Sequence, residues 1–163
     1  MPRHWLPWLE QAEHNAEVAR YLAAGSYWSD AVVLAFEAIE SSLKAVSVGP
    51  ITYGQMEAYT YRELEGVLTD QATGDVREKH RPNLILGMRV RNFPAALFTI
   101  VAGLRLDQRR LELRYPGKGN RARAPFRLAD ENETKSALNV MANVLEYVRA
   151  QVDLSRGSAE PSG

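Results

Sequence analysis

Eight basic residues crowd into the 23 positions from Arg105 to Arg127: Arg105, Arg109, Arg110, Arg114, Lys118, Arg121, Arg123 and Arg127, offset only by Asp107 and Glu112. All but Lys118 are arginine, whose planar fork of donors grips a phosphate in two places at once. The whole chain is neutral, with 20 Lys and Arg against 20 Asp and Glu, so this density is a matter of segregation. Residues 1–76 carry 4 basic and 11 acidic side chains (net −7), residues 77–127 carry 13 and 3 (net +10), and residues 128–163 carry 3 and 6 (net −3). A local positive field therefore forms where the overall charge predicts none. The chemistry it suits is attraction of a nucleotide or nucleic-acid phosphate, and Arg109, Arg110, Arg114, Tyr115, Lys118, Arg121 and Arg123 are the candidate contacts.

Other chemistries are poorly provided for. The chain has no cysteine, which removes disulfides, thiolate metal sites and cysteine nucleophiles. Its three histidines, His4, His14 and His80, have no helical metal-ligand spacing between them. The carboxylate pairs Glu37 with Glu40 and Glu63 with Glu65 lack a neighbouring histidine, so no metal site and no cofactor is expected. Gly117-Lys118-Gly119 lacks the preceding strand, the long glycine-flanked stretch and the Ser or Thr of a P-loop; these glycines serve a turn. Glu40 and Lys44 are one helical turn apart and read as an i,i+4 ion pair. Trp5, Trp8, Tyr27 and Trp28 fall at helical spacings that suit a core or an interface better than base stacking.

The elements that position the basic cluster are helical. Trp5, Leu9, Ala12, Ala16, Ala19 and Ala23 recur at steps of four and three, with Glu10, Glu13, Glu17 and Arg20 between them, and Gly25-Ser26 ends the stripe. A second stripe runs through Trp28, Val32, Phe36 or its neighbour Ala35, Ile39, Leu43 and Val46 until Gly49-Pro50. Two long helices joined this tightly make an antiparallel hairpin. A short helical element is expected over 62–68, a loop over 69–82, and helix or strand over 84–90, where length leaves the choice open. A third long helix starts near Asn92 and Pro94, places Leu97, Val101, Leu104 and Leu111 inward, and carries the arginines in its last turns up to Arg114. Cations there also complement the helix dipole, so part of the cluster has a structural reason. A basic loop over 117–125 leads to a last helix that begins between Asp130 and Thr134 and presents Leu138, Met141, Leu145, Val148 and Val152. Residues 155–163, Ser-Arg-Gly-Ser-Ala-Glu-Pro-Ser-Gly, read as a disordered tail behind a single domain spanning 1–154. No apolar run reaches the roughly 18 residues of a membrane span and no secretory signal opens the chain, so a cytoplasmic protein is expected.

Trp8-Leu9 followed by Ala12-Glu13, then Ala16, Leu22, Gly25, Tyr27, the small-residue run from Ala31 to Ala38, Glu40 and Leu43-Lys44-Ala45 resemble the HEPN family of prokaryotic helical domains. Arg114-Tyr115-Pro116, followed by a polar loop and a closing amphipathic helix, resembles the signature that leads into the last HEPN helix. It implies an all-α antiparallel four-helix bundle, here with a short extra helical element between helices two and three. It also implies a homodimer, and work beside a small nucleotidyltransferase in a toxin–antitoxin or defence module. Catalytic HEPN ribonucleases carry an arginine followed after four to six residues by a histidine. Here the positions five to seven before His14 are Pro-Trp-Leu and those before His80 are Thr-Gly-Asp, while His4 has no room before it. Neither Arg114 nor Arg91, in its family-like Arg91-Asn92 pair, has a histidine at that spacing. No catalytic residue is therefore expected, and the expected function is a non-catalytic, phosphate-binding accessory subunit that recognises a nucleotide or RNA. A diverged ribonuclease using Arg114 and Tyr115, and a module that only docks protein, are the alternatives.

Overall fold

Alanine at most inward positions of the first stripe lets the first two helices approach closely. In the computed structural model, which describes residues 5–47, 94–118 and 122–159, α1 (Trp5–Ala24) and α2 (Trp28–Ser47) form the expected hairpin. Ala12, Ala16 and Ala19 of α1 are fully buried against Val32, Phe36, Ile39 and Leu43 of α2. The turn differs in one detail from the usual glycine-capped helix end. Gly25 follows the last residue of α1, yet Ser26 takes the left-handed conformation, at φ 63°, while the Tyr27 amide donates to the Leu22 carbonyl at 2.9 Å and closes the C-terminus.

The long last helix, α5 (Glu131–Ala159), completes the core. Met141, Val144, Leu145 and Val148 are fully buried, and Val152 and Ala137 nearly so. Each large apolar side chain so covered contributes about 1.5–3 kcal/mol. Asp130 starts this helix: its side chain accepts a hydrogen bond from the Glu133 amide at 2.8 Å, and Glu131 and Glu133 place negative charge on the first turn. The helix runs past the expected boundary. Residues 155–159, read from composition as part of the tail, continue α5 to Ala159. A glycine such as Gly157 costs a helix only about 1 kcal/mol, which twenty-odd preceding helical residues can carry.

The third helix of the sequence reading is two helices. α3 (Ala95–Leu104) and α4 (Leu106–Arg114) meet at Arg105, which adopts φ 51°, ψ 53° and serves as C-cap of one and N-cap of the other. Left-handed backbone is costly for a side chain with a Cβ, on the order of 1 kcal/mol. The break shifts the helical phase. Val101 remains inward, but beyond the break Leu106 and Leu113 are buried while Leu111 is only half-buried. Pro94 is the N-cap of α3 rather than an interior residue. Among the described residues the structure has five α-helices, one 3₁₀ turn (Pro125–Arg127) and no strand. The short helical element expected over 62–68 lies outside the described residues, as do the segments 69–82 and 84–90.

Candidate nucleic-acid interface

The sequence of α4, Leu-Asp-Gln-Arg-Arg-Leu-Glu-Leu-Arg, has too few apolar residues to dock on burial alone. Ion pairs do the rest. Adjacent residues on a helix point about 100° apart, so Arg109 and Arg110 face different neighbours. Arg109 reaches α5 and makes a two-pronged bridge to Glu133, Nε to Oε1 at 2.7 Å and Nη2 to Oε2 at 2.8 Å. It also donates to Glu112 at 2.9 Å and to the Leu128 carbonyl at 3.4 Å. Its hydrogen bond to Glu133 raises the guanidinium further above its ordinary pKa, overcoming the opposing effect of burial. Arg110 faces α2, where its Nη1 lies 2.5 Å from Glu40 Oε2. The other Glu40 oxygen takes Lys44 Nζ at 3.1 Å, as the i,i+4 spacing predicts, and that ammonium sits 4.9 Å over the Trp8 ring. Arg114 pairs with Glu37, one turn before Glu40. Since 114 meets 37 and 110 meets 40, α4 runs antiparallel to α2.

Three of the seven candidate contacts are thus committed to carboxylates of the frame. Glu40 is itself buried, 7% exposed, and a buried carboxylate needs its cations. The carboxylate pair Glu37 and Glu40, unsuited to a metal for want of histidine, is the receiving edge for this helix. Glu133, the third residue after the N-capping Asp130, was not singled out in the sequence, nor was its pairing with Arg109.

Beyond α4 the arrangement changes. Tyr115 ends the helix in extended backbone, and Gly117, at φ 83°, turns the chain away. Lys118, Arg123 and Arg127 are exposed, and among the described residues none has a carboxylate partner. Arg121 lies outside the described residues. Two aromatic rings stand beside these cations in sequence and are solvent-exposed, Tyr115 and Phe126. Arg127 places its guanidinium carbon 5.0 Å from the Phe126 ring centroid.

The 3₁₀ turn that carries Phe126 and Arg127 is firmly seated. Proline opens it, and the Arg127 and Leu128 amides donate to the Ala124 and Pro125 carbonyls at 3.0 and 3.1 Å. Immediately after it, the Ala129 amide donates to Ser29 Oγ on α2 at 3.1 Å. Thr134 Oγ1 bridges to the Asp130 carbonyl at 2.8 Å and the Trp28 carbonyl at 3.2 Å. Ser29 and Thr134 are buried, so these bonds form away from water. Neither residue stood out in the sequence, because a lone Ser or Thr at a helix end has many possible partners.

His14, the one histidine among the described residues, is exposed on α1; His4, His80 and Arg91 lie outside them. No group of three or more acidic or histidine side chains among the described residues could hold a metal. No described helix is long and apolar enough to cross a membrane.

No protein-family model and no curated protein sequence matches this chain. Among solved structures it matches the crystal structure of an archaeal HEPN homologue with a TM-score of 0.58 and 21% identity, over 93% of this chain and 99% of that one. The chain therefore has a HEPN-like, all-α bundle fold.

Proposed function

We propose that this HEPN-fold chain is a non-catalytic accessory or regulatory subunit that binds RNA or nucleotide phosphate through the rim between α4 and α5. The observation that carries the reading is the division among its cations. Arg109, Arg110 and Arg114 hold the frame, while Lys118, Arg123 and Arg127 are exposed, have no carboxylate partner among the described residues and flank exposed aromatic rings. Unneutralised arginine and lysine beside aromatic side chains is a combination that suits nucleic acid. The absence from the sequence of an arginine followed at four to six residues by histidine supports a non-catalytic role, since a positioned acid–base group contributes on the order of 100- to 10,000-fold to such a reaction. A homodimer and a nucleotidyltransferase partner in a toxin–antitoxin or defence setting belong to the same proposal, resting on the fold.

Affinity for a short RNA and for ATP, measured across a salt series, tests the reading. A phosphate-driven complex weakens steeply and log-linearly as salt rises. Absence of binding at about 50 mM salt, where such contacts are strongest, overturns it. The non-catalytic part has its own test: RNA cleavage leaving 2′,3′-cyclic phosphate ends, and abolished by Arg114→Ala, makes the chain a diverged ribonuclease instead.

A further inference from the structure

We infer that Phe126 and Arg127 form a stacking platform for an unpaired base, which makes a single polynucleotide strand, rather than a duplex or a free nucleotide, the ligand class of the rim. The inference rests on the phosphate-binding reading above and adds what the rim selects.

A large apolar ring on a rigid turn normally packs against something. Phe126 does so only in part: it is 61% exposed, although the turn beneath it is fixed by proline, by two 3₁₀ hydrogen bonds and by the buried Ser29 and Thr134 contacts to α2. The Arg109 guanidinium, clamped by Glu133, adds a further contact at the Leu128 carbonyl. The backbone that carries the ring is therefore fixed, while most of the ring faces solvent. The Arg127 guanidinium lies over it, its central carbon 5.0 Å from the centroid, so a charged group stands over an aromatic plane. Base faces stack on guanidinium and aromatic planes alike, and stacking on an aromatic side chain is sequence-tolerant because every base has a π-face. In a duplex those faces are already stacked on neighbouring pairs, and exposing one costs a few kcal/mol. A strand offers unpaired bases and a continuous phosphate backbone for Lys118 and Arg123, while a mononucleotide offers no backbone beyond its own phosphates.

The test measures binding of a fluorescein-labelled mixed-sequence RNA of about 12 nucleotides, within the usual site size of single-strand binders. The same sequence as duplex RNA, the matching single-stranded DNA, and AMP as competitor are measured alongside. The single strand is expected to bind at least about tenfold tighter than the duplex, and AMP to compete weakly. Phe126→Leu should weaken strand binding about tenfold and leave the salt slope unchanged, because it removes stacking and no charge. Phe126→Tyr should restore affinity, and Arg127→Gln should reduce the salt slope by about one. Unchanged circular dichroism and melting temperature in Phe126→Leu confirm that the frame is intact. Equal binding of strand and duplex, or a Phe126→Leu variant that binds like the parent, overturns the platform and leaves the phosphate reading standing. Loss of self-association in Phe126→Leu, seen by sedimentation with RNA affinity intact, assigns the ring to a protein contact and also overturns it. No binding of any probe at low salt removes the phosphate reading and this one with it. Equal affinity for the RNA and DNA strands supports a platform that reads base faces and backbone without the 2′-hydroxyl.

Discussion

The arginines of α4 and the cations of the following rim lie within one basic stretch of sequence, yet they do opposite things. On α4, Arg109, Arg110 and Arg114 each meet a carboxylate of α2 or α5. On the rim, Lys118, Arg123 and Arg127 meet none among the described residues. Helical geometry makes the difference. Three arginines spaced by one and four positions on a helix fall within reach of two neighbouring elements, whereas Lys118, Arg123 and Arg127, outside α4, are exposed. A dense positive run is thus a mixture of fastening and ligand-facing charge, and only the carboxylates contributed by distant sequence sort one from the other.

The sharpest way to break this comparison is to remove a fastening residue and look for a ligand effect. Arg109→Ala leaves Glu133 and Glu112 without their shared cation and should cost about 2 kcal/mol, between the values typical of exposed and buried pairs. Urea denaturation should show it as a lowered midpoint, with RNA affinity of the folded protein unchanged. A tenfold loss of affinity at undiminished stability would place Arg109 with the rim instead. The converse substitution, Lys118→Glu with Arg123→Glu, should weaken binding by tenfold or more at low salt and leave the urea midpoint where it was. A lowered midpoint there, with affinity retained, reverses the assignment of the two groups. The smallest effect is expected at Arg114→Ala. Its pair with Glu37 is nearly half exposed, so about 0.5 kcal/mol should be lost, a shift that high salt in the parent protein largely reproduces. A cost comparable to that of Arg109→Ala would show that exposure is a poor guide to these pairs.

The hairpin was legible from the sequence because its signal is local and repeated. Leu9, Ala12, Ala16 and Ala19, then Val32, Phe36, Ile39 and Leu43, fall on the faces their spacing predicts. The start of α5, expected between Asp130 and Thr134, falls within that range at Glu131, with Asp130 as its cap. The helix break at Arg105 was not. Nothing about an arginine between two leucines marks left-handed backbone, and a continuous period through Leu97, Val101, Leu104 and Leu111 describes only its first half correctly. Of the candidate site, the run of charge could be read directly. Its division could not, because Arg110 meets a residue 70 positions earlier and Arg114 one 77 positions earlier. The rim's ring was passed over because the contacts that fix the backbone after Phe126, Ala129 to Ser29 and Thr134 to Trp28, span 100 and 106 positions of sequence.

The left-handed residue at Arg105 has a mechanical side. α4 is nine residues long, a lever of about 13 Å at 1.5 Å per residue. Were it rigidly continuous with α3, a tilt of about 10° in the apolar half would swing the far end by about 2 Å, more than a hydrogen bond tolerates. A joint of one residue takes up that rotation at its own φ and ψ. The apolar half is then free to settle wherever its leucines and valines pack best, and the charged half keeps its grip on Glu40, Glu37 and Glu133 without following every adjustment.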